Sequence, residues 1–87
     1  MMEDTLQLTL RKPVKVGEVE YAEFNLTEPT VAQLIASSKA GTPLEQAAQL
    51  IRLNAAVPMR AVEQMGQRDF EEAAAFFGRF QPQAPGP

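Results

Sequence analysis

Apolar and polar residues alternate through the first third of the chain. Thr5-Leu6-Gln7-Leu8-Thr9-Leu10 puts three leucines on one side and Thr, Gln and Thr on the other, the period of a half-buried strand. Arg11-Lys12-Pro13 interrupts it, and Pro13 belongs on a sheet edge or at a bulge because it has no N–H to give a ladder. Val14 and Val16 resume the same parity. Gly17-Glu18 fits a two-residue hairpin turn with glycine first, so a return strand runs from Val19 to Leu26. That turn pairs Val16 with Val19 and Val14 with Tyr21. Phe24 and Leu26 have the opposite parity to Val19 and Tyr21. One extra residue must be absorbed, or the strand is apolar on both faces. The pattern predicts a bulge, near Pro13 or near Ala22-Glu23.

The period then changes from two to about 3.6 within Asn25–Leu34. Pro29 closes the strand, Thr30 can cap a helix, and Gln33 stands where its amide reaches back to the cap. Glu28 lies where a helix dipole favours a negative charge. A first helix is predicted from about Val31 to Lys39, with Val31, Leu34 and Ile35 as its apolar face and Gly41 as a left-handed stop. Thr42-Pro43-Leu44-Glu45 is a strong start signal: a Thr cap, Pro at the first helical position and Glu at the third. The second helix carries Leu44, Ala47, Ala48 and Ile51 at i, i+3, i+4 and i+7. Leu50 and Leu53 widen that face, which makes this helix the central one. A break over Asn54–Val57 precedes a short third helix begun by Pro58, with Met59, Val62 and Met65 along one side and Gly66 at its end. A fourth helix begins near Gln67 or Arg68, with Asp69, Glu71 and Glu72 in its first turn and Phe70, Ala73, Ala74 and Phe77 along one face. The fold class is therefore α+β: an N-terminal β-hairpin followed by about four helices in one small domain over residues 1–80. Residues 81–87 hold three prolines and a glycine and read as a disordered tail.

Composition narrows the function classes. The chain has 87 residues and a net charge of −3, with its eight basic residues scattered. Nucleic acid and anionic membranes want a concentrated positive face, so neither is expected as a partner. No stretch approaches the roughly 20 apolar residues of a membrane span. The acidic N-terminus Met1-Met2-Glu3-Asp4 does not read as a signal peptide, so the protein is expected in a cytoplasm. A core this thin gains from docking onto a second copy or a partner.

Histidine and cysteine are both absent, which removes the commonest general base and the common zinc ligands. Ser37 and Ser38 have no base nearby in sequence and read as polar residues near a helix end. Glu18 and Glu20 share a strand face, and Asp69, Glu71 and Glu72 crowd a helix start. Neither set has the spacing of a calcium loop, so a solvated face and a dipole match are the preferred readings. No catalytic residue, cofactor or metal site is expected. The second and third helices with their short break invite comparison with a helix-turn-helix. The turn lacks glycine, and the would-be recognition helix sets Arg60 against Glu63. A small DNA-binding regulator of that type is the alternative reading, and a subunit of an enzyme whose active site lies on another chain is a third. The aromatic residues are different. Phe76 and Phe77 diverge by about 100° on a helix, so Phe70, Phe76, Phe77 and Phe80 cannot easily share one small core. Either the last helix is sandwiched, or Phe76 or Phe80 is exposed to a partner.

The order of these elements resembles the small tail assembly chaperones of long-tailed bacteriophages, the E-type proteins of contractile-tailed phages. The resembling features are the Leu-x-Leu-x-Leu strand, the Lys12-Pro13-Val14 step, the Gly17 turn and Leu26-Thr27-Glu28-Pro29-Thr30 opening the first helix. Leu53-Asn54-Ala55-Ala56-Val57-Pro58 and the Arg68-Asp69-Phe70 start of the last helix complete the set, over about residues 5–80. The Phe-rich final helix and the proline-rich tail depart from it. The resemblance implies a non-catalytic protein that binds the tape measure protein and keeps it soluble while tail tube subunits polymerise around it. It implies action in the host cytoplasm and absence from the mature virion. Many such proteins are also made in a longer, frameshifted form that recruits tail tube protein. The resemblance brings no site residues with it. From the residues themselves, the expected partner surface is the last helix with Phe76, Phe77 and Phe80, with Met59 and Met65 as adaptable neighbours.

Overall fold

The structure is a computed structural model that describes residues 5–80; the tail at 81–87 lies outside the described residues. It holds β1 (Thr5–Val16), β2 (Val19–Thr27), α1 (Val31–Ser38), α2 (Pro43–Ala55), α3 (Met59–Glu63) and α4 (Gln67–Gly78). The strands form an antiparallel hairpin, and its inner face supports the helices. Val16 pairs with Val19 and Val14 with Tyr21, as the turn demands. Gly17 has φ 62°, a region that glycine enters without steric cost, and Glu18 is not in it, the sign pattern of a type II′ turn.

The bulge is present and larger than the sequence suggested. Thr9 pairs with Glu23 and Val14 with Tyr21, so Leu10–Pro13 lies opposite Ala22 alone. Three extra residues are absorbed rather than one. Because three is odd, the parity still flips, and Leu8, Leu10, Val14, Phe24 and Leu26 all reach the core. Such a bulge strands backbone N–H groups that a ladder would have used. Pro13 has none to strand. Those of Arg11 and Lys12 donate to Oδ2 of Asp69, at 2.9 and 3.4 Å. The Arg11 guanidinium donates to Oδ1 of the same carboxylate at 2.8 Å and to Oε1 of Glu72 at 3.0 Å. Asp69 is 1% exposed. It is therefore more than a dipole match at a helix start: it fastens the first turn of α4 to the bulge of β1.

The helices follow their start signals. Thr30 and Gln33 form a reciprocal capping box on α1, and Thr42 accepts from the N–H of Glu45 on α2 with Pro43 at the first position. Their stops differ from expectation. Gly41 is not left-handed; α1 ends at Lys39 in the right-handed region with a tightened last turn, Lys39 and Ala40 donating to Ala36 and Ser37 carbonyls. Gly66 does not end α3, which closes at Gln64, but precedes α4 in an extended conformation. The left-handed stop belongs to Ala56, with φ 58°, at the end of α2. Its position lets the N–H of Val57 reach the carbonyl of Arg52 at 3.2 Å.

Helix α2 is central, touching β2, α1, α3 and α4. Leu50 and Ile51 are its buried residues. The largest departure from expectation is the rotation of α1. Val31 and Ile35 face outward, Leu34 lies at the edge beside a groove, and the inward positions are Gln33, Ala36, Ser37 and Ala40. This second set has the same i, i+3, i+4, i+7 spacing, made of small and amide residues. A polar network fixes the choice. Oδ1 of Asn54 accepts the N–H of Thr27 at 2.8 Å, and its Nδ2 donates to Oε1 of Gln33 at 2.9 Å. Turning α1 to bury Ile35 would pull Gln33 from both Asn54 and its own cap.

Two outcomes follow. In urea titration, Asp69→Ala lowers stability by about 2–4 kcal/mol because two backbone donors and a guanidinium lose their acceptor. Asp69→Asn costs less, since one oxygen still accepts, and Glu72→Ala costs under about 0.5 kcal/mol. Equal effects of Asp69→Ala and Glu72→Ala would contradict this. Ala56→Gly raises stability by about 1 kcal/mol, the left-handed penalty of a residue with a Cβ; an unchanged or lower thermal midpoint would contradict it.

Candidate functional site: an open apolar helical face

The last helix is sandwiched. Phe76 and Phe77 are each 3% exposed, and Ala73 is fully buried. Phe80 is half-buried with its ring edge-on to Phe76, centroids 5.2 Å apart. The buried stripe of α4 runs Asp69, Ala73, Phe76, Phe77, so the core-facing side is rotated from the Phe70–Phe77 face that the pattern suggested. Phe76 and Phe77 form core rather than an exposed surface, and that part of the expected partner site is corrected.

Exposed apolar surface lies on the other side of the helices. Val31 is 71%, Ile35 56% and Leu44 67% exposed. Leu44 also borders a groove of about 760 Å³ between α2 and α3 that reaches the start of α4. Ala48, Met59, Val62, Met65 and Phe70 supply its apolar lining. The two methionines expected at a partner surface are thus brought together here. A second groove of about 420 Å³ lies on the opposite flank of α2, where Leu34 of α1 faces Ala47, Leu50, Ala74 and Phe77. The whole surface is one helix with its larger apolar side outward, next to a central helix with a hollow on each flank.

Sequence reasoning missed Val31, Leu34, Ile35 and Leu44 as surface because the period placed them in the core. The counter-signal was present in the small-residue face Gln33-Ala36-Ser37-Ala40 of the same helix. Helix α1 also carries no charged side chain, unusual for a helix turned to water.

The two serines serve structure. Ser37 and Ser38 hydroxyls donate to the carbonyls of Leu34 and Ile35 at 3.0 and 2.7 Å. Glu18 and Glu20 are exposed on the hairpin. Among the described residues no group of three acidic side chains is placed to hold a metal ion. The Arg11 guanidinium is held above its ordinary value, chiefly by its hydrogen bond to Glu72 and then by that to Asp69, so it stays charged. Helix α3 spans five residues, with Ala61 and Val62 turned inward and Arg60 its one cation. That is short and poor in donors for a recognition helix in a major groove. Among the described residues no helix is long and apolar enough to cross a membrane.

The family model described as phage tail assembly chaperone proteins, E, or 41 or 14, matches residues 7–82. The chain belongs to that phage tail assembly chaperone family. No curated protein matches the chain, and no solved structure does.

The site and core assignments separate in stability. Ile35→Ser changes it by less than about 0.5 kcal/mol, since the side chain faces water. Phe76→Ala costs about 3–5 kcal/mol. Chemical denaturation of both variants checks this, and a large loss from Ile35→Ser would show that α1 is turned the other way.

Proposed function

We propose that this chain binds the tape measure protein and keeps it soluble while tail tube subunits polymerise around it. It acts by binding and not by catalysis, in the host cytoplasm, and is absent from the finished virion. The observation that carries the reading, beside the family, is the open apolar face of α1, α2 and α3. A small domain that has turned Val31, Ile35 and Leu44 to solvent has unspent hydrophobic surface. A long helical protein waiting for its tube exposes apolar stripes of its own, and helix-in-groove docking of many copies would cover them. A longer, frameshifted product would extend this domain toward tail tube protein.

The test is co-expression with the tape measure protein of the same tail gene cluster. The expected result is that the long protein, insoluble alone, becomes soluble and co-elutes with this chain on size exclusion. The double variant Val31→Ser/Ile35→Ser, which keeps the fold, weakens co-elution. A tape measure protein that is soluble alone and runs apart from this chain contradicts the proposal.

A further inference from the structure

Resting on that reading, the groove between α2 and α3 has a chemistry that narrows its occupant. Its floor is small or adaptable: Ala48 lets a backbone come close, and Met59 and Met65 are unbranched side chains that repack around different shapes. Three charged side chains border it. Glu45 stands on the α2 wall and Glu63 on the α3 wall, with Lys39 at the α1 end. Neither glutamate has an ion pair among the described residues, although both of Arg11's carboxylate partners show that the fold does form them. Among the described residues Glu63 makes no hydrogen bond either, and Glu45 accepts only from the Thr42 hydroxyl at 3.2 Å. Two of the three charged side chains that line this apolar trough are unpaired carboxylates, one on α2 and one on α3, against a single cation, Lys39, a balance that favours a rod apolar along one stripe and cationic beside it. The net charge of −3 adds to the same preference.

We infer that the α2–α3 groove takes a single amphipathic helix whose apolar stripe is flanked by lysine or arginine, with Glu45 and Glu63 reading the flanks. The stripe gives the affinity and the two carboxylates give the choice between helices.

The probe is a pair of synthetic peptides about 18 residues long, enough for a stable helix. Both carry leucine and alanine at i, i+3, i+4 and i+7; one has lysines on the flanks and the other glutamates. Each is titrated into the full-length, 15N-labelled chain at physiological salt. The lysine peptide is expected to saturate, to shift the amides of Ala48, Met59 and Met65, and to bind about five- to tenfold tighter than the glutamate peptide, the reach of two exposed ion pairs. Glu63→Lys, a surface change with no bond to lose, brings the two peptides to within about twofold.

Equal binding of the two peptides by the unaltered chain overturns the inference, as does saturable binding that shifts the outer face of α1 or the hairpin and leaves the groove unmoved. Concentration-dependent shifts of the groove amides in the protein alone would assign the groove to a second copy and overturn it too. These results are independent of co-elution. A chain that still solubilises the tape measure protein but shows no lysine preference has lost this inference and kept the broader reading. A chain that fails to solubilise it while discriminating between the peptides has done the reverse.

Discussion

The fold depends on a carboxylate placed where a hydrophobic residue would be expected. Asp69 occupies the first turn of α4 on the stripe that continues through Ala73 and Phe76 into the core. It is buried, and its two oxygens take the N–H groups that the β1 bulge cannot pair and one arm of Arg11. Each part requires the others. Without the bulge, the two apolar parities of the hairpin could not share one face. Without the carboxylate, the bulge would leave backbone donors without their acceptor beside α4, a cost that is a large fraction of the stability margin of a domain this small. With both, α4 is fixed across β1, and its phenylalanines are committed to the core.

A second polar centre decides which apolar side chains stay exposed. Asn54, at the end of α2, accepts from the last residue of β2 and donates to the capping amide of α1. That network sets the rotation of α1 so that Ala36 and Ser37 lie against α2 while Val31 and Ile35 face out. The exposed apolar face is therefore a consequence of hydrogen bonds made elsewhere. The residues that carry the family resemblance include these anchors: Thr27, Thr30, Asn54 and Asp69 all lie in its motifs and all hold elements together. This explains why the resemblance pointed to a fold and brought no binding residues with it.

Much of the architecture was legible in the chain. Alternation gave the hairpin, Gly17 its turn, and Thr30 and Thr42 the helix starts, because local chemistry decides those features. The bulge was legible as a parity conflict but not in its size, since parity distinguishes odd from even and not one from three. The rotation of α1 was not legible. Two faces of that helix have core spacing, and a contact between Asn54 and Gln33, 21 residues apart, chose between them. Asp69 left a faint trace: the Ala73–Phe76–Phe80 stripe extended one turn back lands on it. The exposed apolar face was missed for a related reason. Aromatic residues were weighed as surface because they exceeded one side of a helix, whereas packing on two sides accommodates them.

In the proposed division of the molecule, the hairpin and α4 form the locked half, and the outward side of α1, α2 and α3 is the half that would meet the tape measure protein. Hydrogen–deuterium exchange on the complex with that protein tests it most directly. New protection is expected in α1 and along the two walls of the α2–α3 groove, with β1, β2 and the interior of α4 as protected before binding as after. Protection gained along the outer face of the hairpin, with α1 and the groove unchanged, would contradict it.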